Sequence, residues 1–245
     1  MGGTVTGALL LLGLAVAAYC LLRYCGTGAA SSARRPAVRS RRGGLPVQGA
    51  GASADAHARE LRTPLVRLAT AAGISTRAEA RARRFEIGAE GERQVAALLA
   101  PLTGEGWVFL ADCALPRGEA NVDLLAIGPR GLVAVVDAKK YERHRLRVSG
   151  NRLMYGQQDV SGRMRGLLYE ARTVSNLLSV PVVPVAAVVG PMLRGTQLRF
   201  RGIRLVPAED TADTLRGLDR QHLTTTPARR LADTARRLLP PKTGR

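Results

Sequence analysis

Three charged side chains stand inside two apolar runs, Asp123 in Asn121–Gly128 (NVDLLAIG) and Asp137 and Lys139 in Leu132–Lys139 (LVAVVDAK). Runs of this kind on either side of a Pro129-Arg130-Gly131 turn predict a β-hairpin. A hairpin centred on Arg130 places Asp123 and Asp137 opposite each other, because each lies seven residues from that arginine. Directly opposed residues on one face of a sheet have Cβ atoms roughly 4.5–5.5 Å apart. Asp137 and Lys139 are two apart and share that face, while Val122, Leu124, Val136 and Ala138 point the other way. Opposed like charges destabilise a sheet, and a divalent cation held by both carboxylates removes the repulsion. The plainer alternative is a structural Asp137–Lys139 pair with Asp123 solvated at an edge.

A further carboxylate belongs beside them. The segment Gly88-Ala-Glu-Gly-Glu92 leads into Arg93–Leu102, a predicted helix whose apolar stripe is Val95, Leu99 and Leu102. Glu92 precedes Val95 by three and Leu99 by seven, so it shares their face, whereas Glu90 projects elsewhere. A carboxylate on a buried face is costly unless it is paired or binds a metal. Equally, Glu92 would sit in the first turn of such a helix, where the dipole favours an acid. Beyond Lys139 come Lys140, Arg143, Arg145, Arg147 and Arg152 against the single acid Glu142. Arg143, Arg145 and Arg147 alternate with Leu146 and Val148 and so line one face of the next strand. That face is either simply solvated or a ridge for a phosphate backbone.

The elements that position these groups alternate between helical and strand periodicity. His57–Ala72 and Thr76–Ile87 read as helices, and Trp107–Leu110 as a short strand. Leu153–Tyr155 follows the Gly150-Asn151 turn, and Asp159–Leu178 is a helix with Val160, Met164, Leu167, Leu168, Ala171 and Leu178 inward. Val182–Val189 is an apolar run of the kind buried on both faces. Ile203–Val206 adds a strand, and Thr211–Leu218 and Ala228–Leu239 are helices. Cys20, Cys25 and Cys113 match neither a disulfide framework nor a metal-ligand spacing. Aromatics make up 4% of the chain, which weighs against a base-stacking platform.

Charge is unevenly spread over the 245 residues. The net formal charge is +18, yet residues 85–190 hold 12 basic and 11 acidic side chains, against 13 and 3 before them and 12 and 5 after. The segment with the candidate chemistry is therefore almost neutral, and total charge alone argues only weakly for nucleic acid. Thr4 to Leu22 is a 19-residue run without a charge, close to the ~20 residues that span a bilayer. Arg23, Arg34, Arg35, Arg39, Arg41 and Arg42 follow, with no acid before Asp55. Nothing basic precedes the run, unlike a cleaved signal peptide. The expectation is a retained single-pass anchor at the cytoplasmic membrane, N-terminus outside and the rest in the cytoplasm.

Taken in order, Gly88-x-x-Gly91-Glu92, Asn121-Val-Asp123, Gly128-Pro-x-Gly131 and Asp137-Ala-Lys139 resemble the nuclease-related domain, NERD, a branch of the PD-(D/E)xK nuclease superfamily. The resemblance covers about residues 84–190. It implies an α/β fold with a restriction-endonuclease-like core, a mixed sheet flanked by helices, to which the uncharged Thr4–Leu22 run adds an expected N-terminal transmembrane helix. It also implies that Asp123, Asp137 and Glu92 hold Mg²⁺ (or Mn²⁺), and that Lys139 orients or helps to deprotonate the attacking water. Val122 stands where the superfamily signature has proline, and Asp137 stands where glutamate is commoner. Gln157 or Gln158 would supply the glutamine that often follows the lysine strand in such folds.

The expected organisation is an anchor over 1–25, a basic linker over 26–56 and a helical lead-in over 57–84, then a nuclease-like domain over 85–207 and C-terminal helices over 208–245. The expected function is metal-dependent hydrolysis of DNA or RNA at the membrane, with Lys140, Arg143, Arg145 and Arg147 on the nucleic acid. The alternatives are an inactive scaffold of the same fold, or a lipid-surface protein with structural carboxylates.

Overall fold

The hairpin turn sets the register on which the site depends. In a computed structural model, which describes residues 47–116, 118–193, 197–222 and 226–242, Gly131 has φ 89° and its N–H donates to Gly128 O at 2.9 Å. The Asp219 carboxylate accepts from the Arg130 and Leu132 N–H groups, all at 3.2 Å. A Cβ on Gly128 would collide with that carboxylate. The turn is thus centred on Arg130, and the strands on either side pair Leu124 with Val136, Leu125 with Val135, Ala126 with Ala134 and Ile127 with Val133.

In chain order the elements are helices α1 (Ala52–Leu61), α2 (Pro64–Ala71) and α3 (Arg77–Leu99), strands β1 (Val108–Ala114), β2 (Asn121–Ile127) and β3 (Val133–Lys140), and short strands β4 (Leu146–Ser149), β5 (Arg152–Tyr155) and β6 (Gln158–Asp159). Helix α4 (Arg165–Leu178), strands β7 (Val182–Val189), β8 (Leu198–Phe200) and β9 (Ile203–Pro207), and helices α5 (Thr211–Gln221) and α6 (Ala228–Leu238) complete the chain. Six strands form one mixed sheet in the order β1-β2-β3-β7-β9-β8, and β4–β6 form a separate three-stranded sheet. Strands β3, β7 and β9 run parallel, and the remaining pairs of the large sheet are antiparallel. Helices cover both faces, as a parallel centre requires. On one face Val95, Leu99 and Leu215 of α3 and α5 pack on Leu124, Val136 and Val206. On the other, Leu167 and Val174 of α4 and Leu231 of α6 pack on Leu125, Val135 and Leu205. The C-terminal helices therefore belong to the same core as the expected nuclease-like segment.

Several boundaries differ from the sequence reading. The expected helix His57–Ala72 is two helices, since Pro64 at the start of α2 cannot continue α1, and Thr63 accepts from Val66 N as a cap. Helix α1 begins at Ala52, inside the segment read as linker. The helices expected over Thr76–Ile87 and Arg93–Leu102 are one 23-residue helix that runs through Gly88 and Gly91. Both glycines are tolerated there, because burial of Ala89, Gly91, Val95 and Leu99 outweighs their roughly 1 kcal/mol helix penalty each. The helix expected from Asp159 begins only at Arg165, after β6 and a 3₁₀ turn. Among the described residues no helix is long and apolar enough to cross a membrane. The expected span Thr4–Leu22 lies outside the described residues.

Candidate active site

The ladder between β2 and β3 ends at Leu124–Val136. Asp123 and Asp137 are the next pair in that register, and the strands part there instead of pairing two carboxylates. The other side of β2 breaks at the same place. Strand β1 pairs with β2 from Val108–Ile127 to Ala111–Leu124 and again at Cys113–Val122, skipping Asp112 and Asp123. Asp112 has φ 51°, a left-handed backbone that aspartate tolerates better than most residues. Strict alternation is lost here, and Val122, expected on the face of Leu124, joins the opposite core with Leu125 and Ile127.

Asp112 is itself heavily bonded. Its carboxylate accepts from the Ser53 N–H at 2.9 Å, from Ser53 Oγ at 2.6 Å and from Asn121 Nδ2 at 2.8 Å. Its carbonyl accepts from Lys242 N at 2.7 Å. One residue thereby ties the first turn of α1 and the C-terminal tail to the kinked edge of the sheet. Gly51, just before α1, packs so closely on Ala89 that a Cβ would meet the Ala89 carbonyl at 2.9 Å. From there its N–H favours the ionised form of Glu92.

Beyond the break, the carboxylates gather. Asp137 is 4% exposed, and its Oδ2 meets Lys139 Nζ at 2.5 Å. Its Oδ1 is buried without a hydrogen-bond partner. Glu92 lies well inside α3, so the helix dipole does not account for it. Burial, then Asp137 and Asp112, push Glu92 up to about 7, against the Gly51 N–H and Lys139. Burial, then Asp137, Glu92 and Glu170, raise the Asp123 carboxyl well above its usual value, against Lys139. No group among the described residues donates a hydrogen bond to Asp123.

A fourth carboxylate was not foreseen. Glu170 of α4 is pushed up to about 8 by burial and by Asp137, with Lys139 opposing and Glu92 adding. Its Oε2 is buried without a partner. Spacing held the signal: Glu170 follows Leu167 by three and precedes Val174 by four, so it shares their inward face, as Glu92 shares that of Val95. Burial disfavours the charge on Lys139, but Asp137, Asp123 and Glu170 outweigh it and raise its pKa. The site therefore sets four carboxylates from four elements against one ammonium. Buried carboxylates in that ratio stay protonated or recruit a cation.

Among the described residues, no three His, Cys, Asp or Glu side chains form a ready-made metal cage. The donor set nevertheless suits Mg²⁺. That ion keeps several waters and needs only one or two protein carboxylates, and the partnerless Asp137 Oδ1 is an oxygen of that kind.

Glu92 and Asp123 also border a cleft of about 210 Å³ lined in addition by His57, Arg84, Phe85 and Lys242. The basic segment is arranged differently from the expectation. Arg143 and Arg145 lie in the loop before β4, and only Arg147 is on the strand. Leu146 is buried, while Arg143, Arg145 and Arg147 are exposed and Val148 is 37% exposed, so the strand is too short and too near an edge to bury alternate residues. Lys140 pairs with Glu142 at 3.0 Å. Gln157 and Gln158 are exposed at the small sheet, and neither lines the cleft.

With this geometry in place, comparison with known proteins gives one match. Residues 87–189 fit the family model of the nuclease-related domain, NERD. No curated protein and no solved structure matches the chain.

Proposed function

We propose, from the premise that residues 87–189 are a nuclease-related domain, that this chain hydrolyses phosphodiester bonds of DNA or RNA with a divalent cation held by Asp123 and Asp137, with Glu92 on the facing wall. The observation that carries the reading is the imbalance at the site. Glu92, Asp123, Asp137 and Glu170 gather around Lys139, with Arg84 and Lys242 at the rim of the cleft, and two of the four carboxylates have an oxygen buried without a partner. A structural ion pair needs one carboxylate for one ammonium. The surplus makes chemical sense when a cation and the phosphates of a substrate complete the charge balance.

Mg²⁺ or Mn²⁺ bound here would supply a water of lowered pKa and charge neutralisation at the phosphate. The chain's own residues do the rest. Asp137 fixes Lys139 at 2.5 Å, so the ammonium is preorganised near the carboxylates. Its raised pKa keeps it protonated at neutral pH. In that state Lys139 orients the attacking water and stabilises negative charge growing on the phosphoryl oxygens, and it is poorly suited to accept a proton. Glu92, raised to about 7 in the metal-free chain by burial and by Asp137 and Asp112, would lose much of that rise beside a bound cation and could then act as an ionised carboxylate that helps to hold the ion. Asp123 and Glu92 border the cleft and are the carboxylates a substrate reaches first, while Asp137 stays buried behind them.

The uncharged run Thr4–Leu22 and the arginines after it support anchoring in the cytoplasmic membrane with the domain inside. Protease added to intact cells should then spare the domain, and its digestion from outside would reverse that topology. Hydrolysis is tested by incubating the full chain in detergent with labelled single-stranded and duplex DNA and RNA, in Mg²⁺, Mn²⁺ or EDTA. Cleavage that needs the metal and disappears in Asp123→Asn supports the reading. No cleavage of any substrate with either metal rejects it in favour of an inactive scaffold.

A further inference from the structure

The cleft that ends on Asp123 and Glu92 has walls from outside the segment shared with the nuclease-related family. His57 comes from α1, Arg84 and Phe85 from the first half of α3, and Lys242 from the C-terminal tail, against a family match over 87–189. Its floor is acidic and its rim is not. Arg84 is exposed and has no acidic partner among the described residues, and Lys242 Nζ donates to a backbone carbonyl, that of Glu119. Phe85 lies between rings and charge, with His57 edge-on at 5.4 Å and the Arg81 guanidinium 5.8 Å from its centroid. A cationic and aromatic rim above carboxylates suits a ligand with phosphates and planar bases.

We infer that this cleft binds the unpaired nucleotide strand next to the bond to be cut, with Arg84 on its phosphate and Phe85 and His57 against its bases, so that the substrate is single-stranded or splayed nucleic acid. The inference rests on the reading of Asp123 and Glu92 as the reacting floor. At about 210 Å³ the cleft lies below the roughly 300–1,000 Å³ of a drug-sized ligand site. It has room for part of a strand and none for the width of a double helix. The phosphate must come down to a half-buried Asp123, and a stacked duplex presents its phosphates outside a stiff stack, so the strand must first leave it. Bases that have left the stack are those that rest on aromatic and guanidinium planes. A low overall aromatic content argues against a stacking sheet, but a single-strand cleft of this size needs only a ring or two.

The test is fluorescence anisotropy with the full chain in EDTA, where nothing is cut, using a labelled 12-nucleotide DNA strand and its blunt duplex over a salt series. The unpaired strand should bind about tenfold more tightly than the duplex. Arg84→Ala should lower the log–log salt slope for the single strand by roughly 0.7, the value of one phosphate contact. Phe85→Ala should erase the preference, leaving duplex affinity, carried by the rest of the basic surface, as it was. Phe85→Leu keeps the packing while losing the ring, and a melt of each variant separates lost stacking from lost folding. Equal binding of both forms, or variants that weaken both alike, overturns the inference even if metal-dependent cleavage of a duplex is found. The converse result, the expected binding pattern with no cleavage in Mg²⁺ or Mn²⁺, removes the hydrolysis and leaves the binding site standing.

Discussion

Asp112 and Asp123 face one another across β1 and β2 at the one position of their register where the two strands do not pair. The left-handed backbone of Asp112 opens that gap, and its carboxylate is then used up by Ser53 and Asn121. Asp123, with no such donors, is left to the cleft. One aspartate is structural and its neighbour available, and the difference lies in hydrogen bonds, not in residue type. Sites that hold a residue in a sparsely populated conformation commonly do so where function needs a side chain re-aimed.

Asp112→Ala should therefore destabilise the chain by roughly 2–3 kcal/mol, from lost charged hydrogen bonds and a strained backbone. Asp112→Gly relieves the backbone but not the bonds, and Asp112→Asn keeps most of both, so the order of stability should be wild type, Asn, Gly, Ala. Hydrogen exchange should show the Ser53 amide losing protection in the Ala and Gly variants while α4 stays protected. An Ala variant as stable as wild type would mean that Asp112 does not clamp α1.

The raised carboxyls make stability depend on pH in a defined direction. In the unfolded chain Glu92 and Glu170 titrate near 4.5, and in the folded chain at about 7 and about 8. Between those values the folded chain holds protons that the unfolded chain has released. Their contribution is full below about 4.5 and is lost as pH rises through 7 and 8. Glu79 acts oppositely. Arg62, then Arg83, hold it down at about 2, so its contribution is lost only as pH falls from 4.5 toward 2. In EDTA the chain should be most stable near about pH 5, and its Tm should fall from there to pH 8.5 at about 2–4 °C per kcal/mol lost. Mg²⁺ competes with the same protons, so its stabilisation should be larger at pH 8 than at pH 5.5. Thermal melts across that range check both, and a Tm in EDTA that rises from pH 5 to 8 would contradict the buried cluster.

Much of this was legible in the sequence, and the reasons for the rest are local. The hairpin centred on Arg130 follows from two apolar runs about a Pro-x-Gly turn, and the ladder has that register from Ile127–Val133 to Leu124–Val136, ending one position short of Asp123 and Asp137. The strand Val182–Val189 has its expected limits. Pattern reading missed what depends on contacts distant in sequence. Ser53 meets Asp112 across 59 residues and Asp219 meets Arg130 across 89, and no periodicity encodes either. Gly88 and Gly91 looked like a helix boundary, but glycine inside a helix is a modest penalty that tertiary burial overrides. Glu170 was visible in principle, on the same helical-face spacing that singled out Glu92.

If the exposed loop and strand after Lys139 carry nucleic acid, Arg145→Ala with Arg147→Ala should weaken binding across all sequences. Each lost phosphate contact lowers the log–log salt slope by roughly 0.7–0.9. Both side chains are exposed, so Tm should not move. An unchanged slope assigns these arginines to a solvated face.

The sharpest separation comes from Asp137 and Lys139. The Asp137–Lys139 contact of 2.5 Å taken alone is what a structural salt bridge looks like, and breaking such a buried pair from either side destabilises a fold by about 3–5 kcal/mol. The surplus of carboxylates makes a different forecast. Asp137→Asn removes one of four acids, and at pH 8.5, above the value of about 8 for Glu170, Lys139 keeps a charged neighbour, so Tm in EDTA should hold or rise slightly there while cleavage is abolished. Lys139→Met removes the one cation and leaves four carboxylates together, so Tm in EDTA should fall. Mg²⁺ at a hundred times its Kd stabilises by about 2.7 kcal/mol. At one fixed concentration, a hundred times the wild-type Kd, the gain should be larger in Lys139→Met, where the ion replaces the missing charge and binds more tightly, and largely absent in Asp137→Asn. Both variants melting well below wild type, with no response to Mg²⁺ or Mn²⁺ in any of the three proteins, would make the pair structural and the domain a scaffold.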